Sequence, residues 1–138
     1  MGWTPLSRQE VSQMSPAALA YIGDAVYEIY VRRKIVLQKP ARINALHKRV
    51  VGLVNASAQA ELFHFLVDRL TPDERAVARR GRNVKTGSVP KYTDVATYRH
   101  STGLECLIGF LHLCGEEKRV EELLSFLEEL DTNRKNGG

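Results

Sequence analysis

Cysteine is scarce in this sequence of 138 residues, which contains only Cys106 and Cys114. Both fall in one predicted helix, where a rise of 1.5 Å per residue separates them by about 12 Å, too far for a disulfide. Neither belongs to a Cys-x-x-Cys pair, and the four histidines lack the spacing of zinc ligands. The two cysteines therefore predict core thiols in a reducing cytoplasm, and no zinc site is expected.

Long apolar runs are also missing. No segment approaches the ~20 apolar residues that span a bilayer, and the N-terminus lacks the parts of a secretory signal. We therefore expect a cytoplasmic protein with no membrane partner. The composition, 43% apolar and 26% charged, is typical of a globular protein long enough to fold without disulfides, so we expect one domain over residues 1–138.

Alternating apolar and polar positions, the pattern of strands, are absent too. Helical periodicity covers most of the chain and predicts an all-α fold without internal repeats. The predicted helices span about 16–34, 43–70 with a break near Asn55, 72–80, 94–113 and 116–130. A basic loop is expected at about 81–93 and a frayed tail from about 131.

The first predicted helix has one apolar stripe. Five residues form this stripe and predict the buried face of the helix: Leu19, Ile22, Val26, Ile29 and Tyr30. Three further apolar residues lie outside it and predict an interface with a second copy of the chain: Tyr21, Tyr27 and Val31.

Cationic residues are unevenly distributed, although the net charge is only +4. One group, residues 32–34, closes the first predicted helix. The second group, here called the basic cluster, consists of Arg79, Arg80, Arg82, Lys85 and Lys91. Guanidinium groups suit bidentate contact with phosphate, so the basic cluster favours nucleic-acid binding over the alternative of a merely solubilising loop.

Asp24 is the only charged residue in the apolar segment 19–26, LAYIGDAV. A buried or half-buried charge there is costly unless it is compensated. A divalent cation is one way to compensate it, and an ion pair with Arg or Lys of a neighbouring helix is the structural alternative. Glu28, one turn further on, is more consistent with pairing to Arg32 than with metal binding.

Glu105 is a second isolated carboxylate, in the predicted helix 94–113. Together with Asp24 it predicts a site for magnesium or manganese, ions that prefer oxygen ligands and retain several waters. Phosphodiester hydrolysis by a metal-activated water is the corresponding reaction class. The structural alternative for Glu105 is a capping box with Thr102 at the start of a helix.

The two acidic segments resemble motifs of a known family. Segment 19–26, LAYIGDAV, is similar to the nuclease motif of the ribonuclease III family, and segment 102–109, TGLECLIG, is similar to its second acidic motif. Segments 79–87 and 94–102 resemble the short bacterial Mini-ribonuclease III branch of that family, which consists of the catalytic domain alone. The resemblance covers nearly the whole chain.

The resemblance implies a fold like the ribonuclease III catalytic domain and an endonuclease that cuts double-stranded RNA as a homodimer. It implies Mg²⁺ as the cofactor, with Mn²⁺ as a substitute, and no small-molecule cofactor. Asp24 and Glu105 become the catalytic, metal-binding residues, and the precursor of large-subunit (23S) ribosomal RNA becomes the substrate. No double-stranded-RNA-binding domain is expected, so the basic cluster has to hold the duplex.

The sequence departs from full-length ribonuclease III enzymes at Ala20 and Thr102, where those enzymes have a glutamate and an aspartate. We therefore expect fewer protein ligands and more waters around the metal, with Ser101 and Thr102 as candidate partners of those waters. Two other functions stay open: an inactive RNA-binding module of this family, and a structural helical dimer with salt-bridged carboxylates. The presence of both Asp24 and Glu105 favours the enzyme.

Overall fold

The structure, a computed structural model, describes residues 3–38, 41–84, 89–91 and 93–136, with side chains described through residue 133. Within these residues the chain forms seven α-helices and one short 3-10 helix, without strands. The α-helices are α1 (Arg8–Ser12), α2 (Pro16–Gln38), α3 (Ile43–Val54), α4 (Ala56–Leu66), α5 (Pro72–Arg82), α6 (Val95–Leu113) and α7 (Glu117–Asn136). The predicted all-α fold is confirmed.

Polar caps and a glycine define several helix boundaries where the sequence predicts them. The Ser15 hydroxyl accepts a hydrogen bond from the Ala18 N–H at 3.1 Å and begins α2. Asn55 separates α3 from α4 and accepts from the Ala58 N–H at 2.9 Å, which confirms the predicted break. Gly115 follows α6 with a φ of 76°, the left-handed conformation that favours glycine after a helix.

Other boundaries differ from the prediction. The five-residue helix α1 was not predicted, because so short a segment shows no periodic pattern. Helix α2 continues past its basic residues to Gln38, and α7 reaches Asn136, so residues 131–136 are helical rather than frayed. An ion pair of 2.9 Å between Lys34 and Glu128 links the two extended helices.

Helix α6 lies at the centre of the fold, in contact with α1, α2, α4, α5 and α7. Its predicted buried face is confirmed, since Leu104, Leu107, Ile108 and Leu111 are fully buried.

No single helix among the described residues is long and apolar enough to cross a bilayer, and only α3 with residues 56–69, bent by 50°, has the length and composition of a broken span.

The predicted buried face of α2 is only partly correct. Leu19 and Tyr30 are buried as expected, but Ile29 is 63% exposed. Tyr27 and Val31, which were predicted to lie in an interface, are instead core residues. The reason is that α2 packs against both α6 and α3, and the Tyr27 hydroxyl donates to the Leu53 carbonyl at 2.7 Å. One apolar stripe cannot describe a helix that is covered on two sides.

Helices α2 and α6 cross with their backbones in direct contact. A Cβ atom on Gly23 would overlap the carbonyl oxygen of Glu105, and a Cβ atom on Gly109 would overlap the carbonyl oxygen of Leu19. Helices separated by larger side chains lie about 8–10 Å apart, so glycines at the contact permit a closer approach. Because Asp24 follows Gly23 and Glu105 provides the touching carbonyl, the crossing brings the two acidic residues together.

Replacement of Gly23 with alanine tests this crossing. We expect Gly23→Ala to destabilise the protein by about 1–3 kcal/mol or more, because the added methyl group must push two helix backbones apart. Gly52→Ala is the matched control, since a Cβ atom there meets no atom within 4 Å and alanine favours a helix by about 0.5–1 kcal/mol. Urea unfolding measures both, and equal stabilities of the two variants would contradict the prediction.

Candidate functional site

The α2–α6 crossing places the two predicted acidic residues side by side. Asp24 is exposed on α2, Glu105 is partly buried on α6, and the two carboxyl groups lie within hydrogen-bonding reach of each other. Asp24 is thus more exposed than the sequence suggested, and Glu105 is the carboxyl group that burial removes from water. Among the described residues, no Lys or Arg forms an ion pair with either carboxylate, so the salt-bridge alternative for Asp24 is not supported.

Glu105 is a strongly perturbed acid. Burial and, next, the neighbouring Asp24 carboxylate raise the pKa of Glu105 to about 9. The Asp24 carboxylate acts by accepting a hydrogen bond from protonated Glu105 and by repelling its ionised form. At neutral pH and without a cation, Glu105 therefore carries a proton. Perturbed acids of this kind are typical of functional sites.

Glu74 shows how the same fold compensates a buried carboxylate that serves structure. It is 2% exposed, and Arg119 donates from Nε and Nη2 to its two oxygens at 2.8 Å each. Burial on its own raises the pKa of Glu74, but hydrogen bonds from Arg119 and Thr71 outweigh it and leave the pKa below its ordinary value. Glu105 has no such guanidinium partner among the described residues, and its carboxyl group keeps its proton at neutral pH instead.

The two carboxylates fit a hard divalent cation with few protein ligands. Carboxylate oxygens are the ligands that magnesium and manganese prefer, and Mg²⁺ commonly binds one or two carboxylates while retaining waters. In the described part of the chain, no group of three or more His, Cys, Asp or Glu side chains is arranged to hold a metal. The donor set therefore suits an ion whose remaining ligands are waters and substrate oxygens.

Ser101 and Thr102 stabilise α6 itself. Both hydroxyls donate to the Tyr98 carbonyl, at 2.7 Å from Ser101 and 3.0 Å from Thr102. Each has therefore used its only proton within the helix, and its oxygen can act toward a metal-bound water only as an acceptor. Thr102 also lies inside α6, which begins at Val95, so the alternative of a Thr102–Glu105 capping box is wrong.

Gln59 is a third polar residue of the site, and one that the sequence patterns did not single out. It lies on α4, is 3% exposed, and faces Glu105 closely enough to lower that residue's pKa. Its Nε2 nevertheless completes no hydrogen bond of good geometry with any described atom. The sequence did contain a signal for its burial, since helical spacing places Gln59 on the same face of α4 as the buried Leu62, Phe63 and Leu66.

The basic cluster begins in a helix rather than in a loop. Arg79, Arg80 and Arg82 form the last turn of α5, with Arg79 and Arg80 exposed and Arg82 partly buried. Lys91 is exposed, whereas Lys85 lies outside the described residues. The Arg80 guanidinium donates to the Met14 carbonyl at 3.3 Å. Three cationic side chains are thus held on the regular surface of α5.

A surface cavity of about 400 Å³ extends this cationic region toward the start of α6. Its lining includes Arg82, Arg99 and His100. Burial and, next, electrostatic interaction with His64 and Arg82 lower the pKa of His100 below its ordinary value. The ring of His64 stands edge-on to it, with centroids 4.4 Å apart. Arg99 and His100 are additions to the sequence-predicted set.

Comparison with known proteins identifies similar sequences and a similar structure. The family described as Ribonuclease III domain matches residues 17–116. The chain is 46% identical to a Mini-ribonuclease 3 from Thermoanaerobacter sp. (strain X514), covering 86% of this chain and 84% of that one. It is 39% identical to the Mini-ribonuclease 3 of Desulfitobacterium hafniense (strain Y51), covering 96% and 85%. The crystal structure of protein FN1578 from Fusobacterium nucleatum matches with a TM-score of 0.79 at 28% identity, covering 86% of this chain and 95% of that one.

The raised pKa of Glu105 predicts a pH-dependent stability. Because the folded-state pKa of about 9 lies above the unfolded value of 4.5, the folded protein binds more protons than the unfolded protein between these values. The stabilisation is complete below the lower pKa and is lost as the pH rises through the upper one. One bound proton corresponds to at most about 1.4 kcal/mol per pH unit.

Glu105→Gln should remove this dependence, because the amide does not titrate. Urea unfolding with EDTA, from about pH 5 to about pH 9, should show the parent losing stability relative to the variant as the pH rises. Parallel curves for the two proteins would contradict the raised pKa.

Proposed function

The chain belongs to the ribonuclease III domain family, and on that basis we propose that it is an endoribonuclease that hydrolyses double-stranded RNA. The observation that carries the proposal is the pair of Asp24 and Glu105, which lie together without a compensating cationic side chain among the described residues. The alternative of an inactive module of the family is disfavoured, because both carboxylates of the pair are present.

Asp24 and Glu105 would hold a magnesium ion, for which manganese is a possible substitute. When bound, such an ion activates a water for attack on a phosphodiester and stabilises charge on the phosphate oxygens. Asp24 is exposed and presents its carboxylate on the solvent side, where a phosphate has access. Glu105 would release its proton to solvent on holding such an ion, since a metal ligand must be deprotonated. The backbone contact at Gly23 fixes the relative position of both residues.

In this proposal the basic cluster binds the phosphate backbone of the RNA. A-form RNA is recognised mostly through its phosphates and 2′-hydroxyls, which requires cations and hydrogen-bond donors at fixed positions. Arg79, Arg80 and Arg82 meet that requirement because they project from one helical turn. Arg99 and His100 border Arg82 in the surface cavity and would add contacts to the same backbone.

We further propose that the enzyme acts as a homodimer. Several large apolar side chains of α2 and α3 are exposed, with Tyr21 at 84% exposure: Tyr21, Ile29, Val36, Leu37, Ile43 and Val51. Exposed apolar side chains of this size mark interaction sites where they cluster, and a symmetric interface would cover them. Asp24 follows Tyr21 by three residues on α2, so two copies joined through this patch would hold two acidic pairs near the interface.

The substrate that we propose is the precursor of large-subunit (23S) ribosomal RNA. Support comes from the resemblance of segments 79–87 and 94–102 to the Mini-ribonuclease III branch. A cytoplasmic site of action agrees with Cys106 and Cys114, which are both free thiols.

Cleavage of duplex RNA in magnesium tests the acidic pair. Asp24→Asn and Glu105→Gln should each lower the cleavage rate by at least about a hundredfold, because loss of a ligand exceeds the 10–100-fold cost of losing a partner of a ligand. Glu28→Gln is the matched control, since Glu28 lies one turn away on α2 and forms an ion pair with Arg32 at 3.5 Å. Full activity of Asp24→Asn would exclude Asp24 as a catalytic residue.

RNA binding across a salt series tests the basic cluster. Replacing Arg79, Arg80, Arg82 and Lys85 with alanine should weaken binding and reduce the slope of log K against log salt by roughly one unit for each phosphate that is no longer neutralised. The pair Arg32→Ala and Arg33→Ala removes cations from α2 and should leave the slope near that of the parent. An unchanged slope in the fourfold variant would contradict the proposed role of the basic cluster.

A further inference from the structure

Gln59 is the buried polar group whose presence is least explained by the fold. Its side chain is 3% exposed and lies on the apolar face of α4, yet its Nε2 has no hydrogen-bond partner among the described atoms. Buried amides are nearly always satisfied in native proteins, so an unpaired one calls for a specific explanation. A leucine at this position would pack without leaving a donor unpaired.

The surroundings of Gln59 point to Glu105. Gln59 on α4 and Asp24 on α2 both lie within hydrogen-bonding reach of the Glu105 carboxyl group. The hydroxyls of Ser101 and Thr102 on α6 already donate to the Tyr98 carbonyl. Among these three nearby polar side chains, Gln59 is the one with a donor still available.

We propose that Gln59 is a positioning residue, whose Nε2 donates to the Glu105 carboxylate and holds it turned toward Asp24 to receive a divalent cation. This inference rests on the proposed metal-dependent function. A carboxylate that binds a metal through one oxygen needs a hydrogen bond at the other to fix its orientation.

The neutrality of the amide is essential to this role. At Glu74 the guanidinium of Arg119 orients the carboxylate but also neutralises it. A cation at position 59 would likewise compete with the metal for the two carboxylates. Glutamine donates a hydrogen bond while leaving the negative charge of the pair available.

Magnesium titration followed by NMR tests the inference in the unmodified protein. The side-chain amide signals of Gln59, assigned by their loss in Gln59→Met, should shift saturably with Mg²⁺, and the shift should be absent in Asp24→Asn. The amide of Asn55 is an internal control, because its Nδ2 already donates to the carbonyls of Val51 and Gly52 at 3.1 and 3.2 Å. Its signals should stay in place.

Calorimetric binding of Mn²⁺ gives an independent measurement. Gln59→Met should bind Mn²⁺ roughly tenfold more weakly, the lower end of the effect of removing a partner of a metal ligand. Its cleavage should need roughly tenfold more Mg²⁺ than the parent to reach half of its own maximal rate. Leu62→Met, on the same buried face of α4, controls for repacking and should change neither quantity.

The outcomes separate this inference from the proposed function. If the parent binds Mg²⁺ and Asp24→Asn does not, while the Gln59 signals and the Mn²⁺ affinity of Gln59→Met stay unchanged, the role of Gln59 is overturned and the metal site stands. If the parent binds neither ion, both are overturned. If Gln59→Met fails to fold, backbone-directed assignment of the Gln59 signals lets the titration of the parent decide.

Discussion

The backbone contact between α2 and α6 is the constraint on which the site depends. Gly23 and Gly109 bring the two helices together without side chains between them, and each lies against a carbonyl oxygen of the opposite helix. Asp24 and Glu105 are next to the contact, so their separation follows from the positions of two backbones. Long side chains reaching across a wider gap would leave more rotamers to be restrained.

Two glutamates of this protein, one buried and one partly buried, differ in whether a cationic side chain compensates their charge. Glu74 and Glu105 are both withdrawn from water, but only Glu74 has a guanidinium partner among the described residues. The pKa of Glu74 is lowered, whereas that of Glu105 is raised to about 9. Removing a charge from water without pairing it is unfavourable for folding. At neutral pH Glu105 avoids this cost by holding a proton, which a cation would replace in the proposed function.

Local sequence signals predicted most of the helices, and two isolated carboxylates, supported by a family resemblance, predicted the acidic pair. Caps at Ser15 and Asn55 are encoded within a few residues, so the starts of α2 and α4 could be read directly. The burial of Tyr27 could not, because it depends on α3 covering a second side of α2. Gln59 was missed for a similar reason: helical spacing marks its face as buried but does not reveal that Glu105 lies opposite.

The basic residues at the end of α5 and the acidic pair lie on different helices, so one group can be substituted without the other. Arg79, Arg80 and Arg82 belong to a helix that packs on α6, whereas the acidic pair is fixed by the contact between α2 and α6. Helix α6 therefore contacts both the helix that carries the basic residues and the helix that carries Asp24, and the two contacts involve different partners. If the proposed function holds, substitutions on the outer surface of α5 would change which duplexes are preferred without moving Asp24 or Glu105.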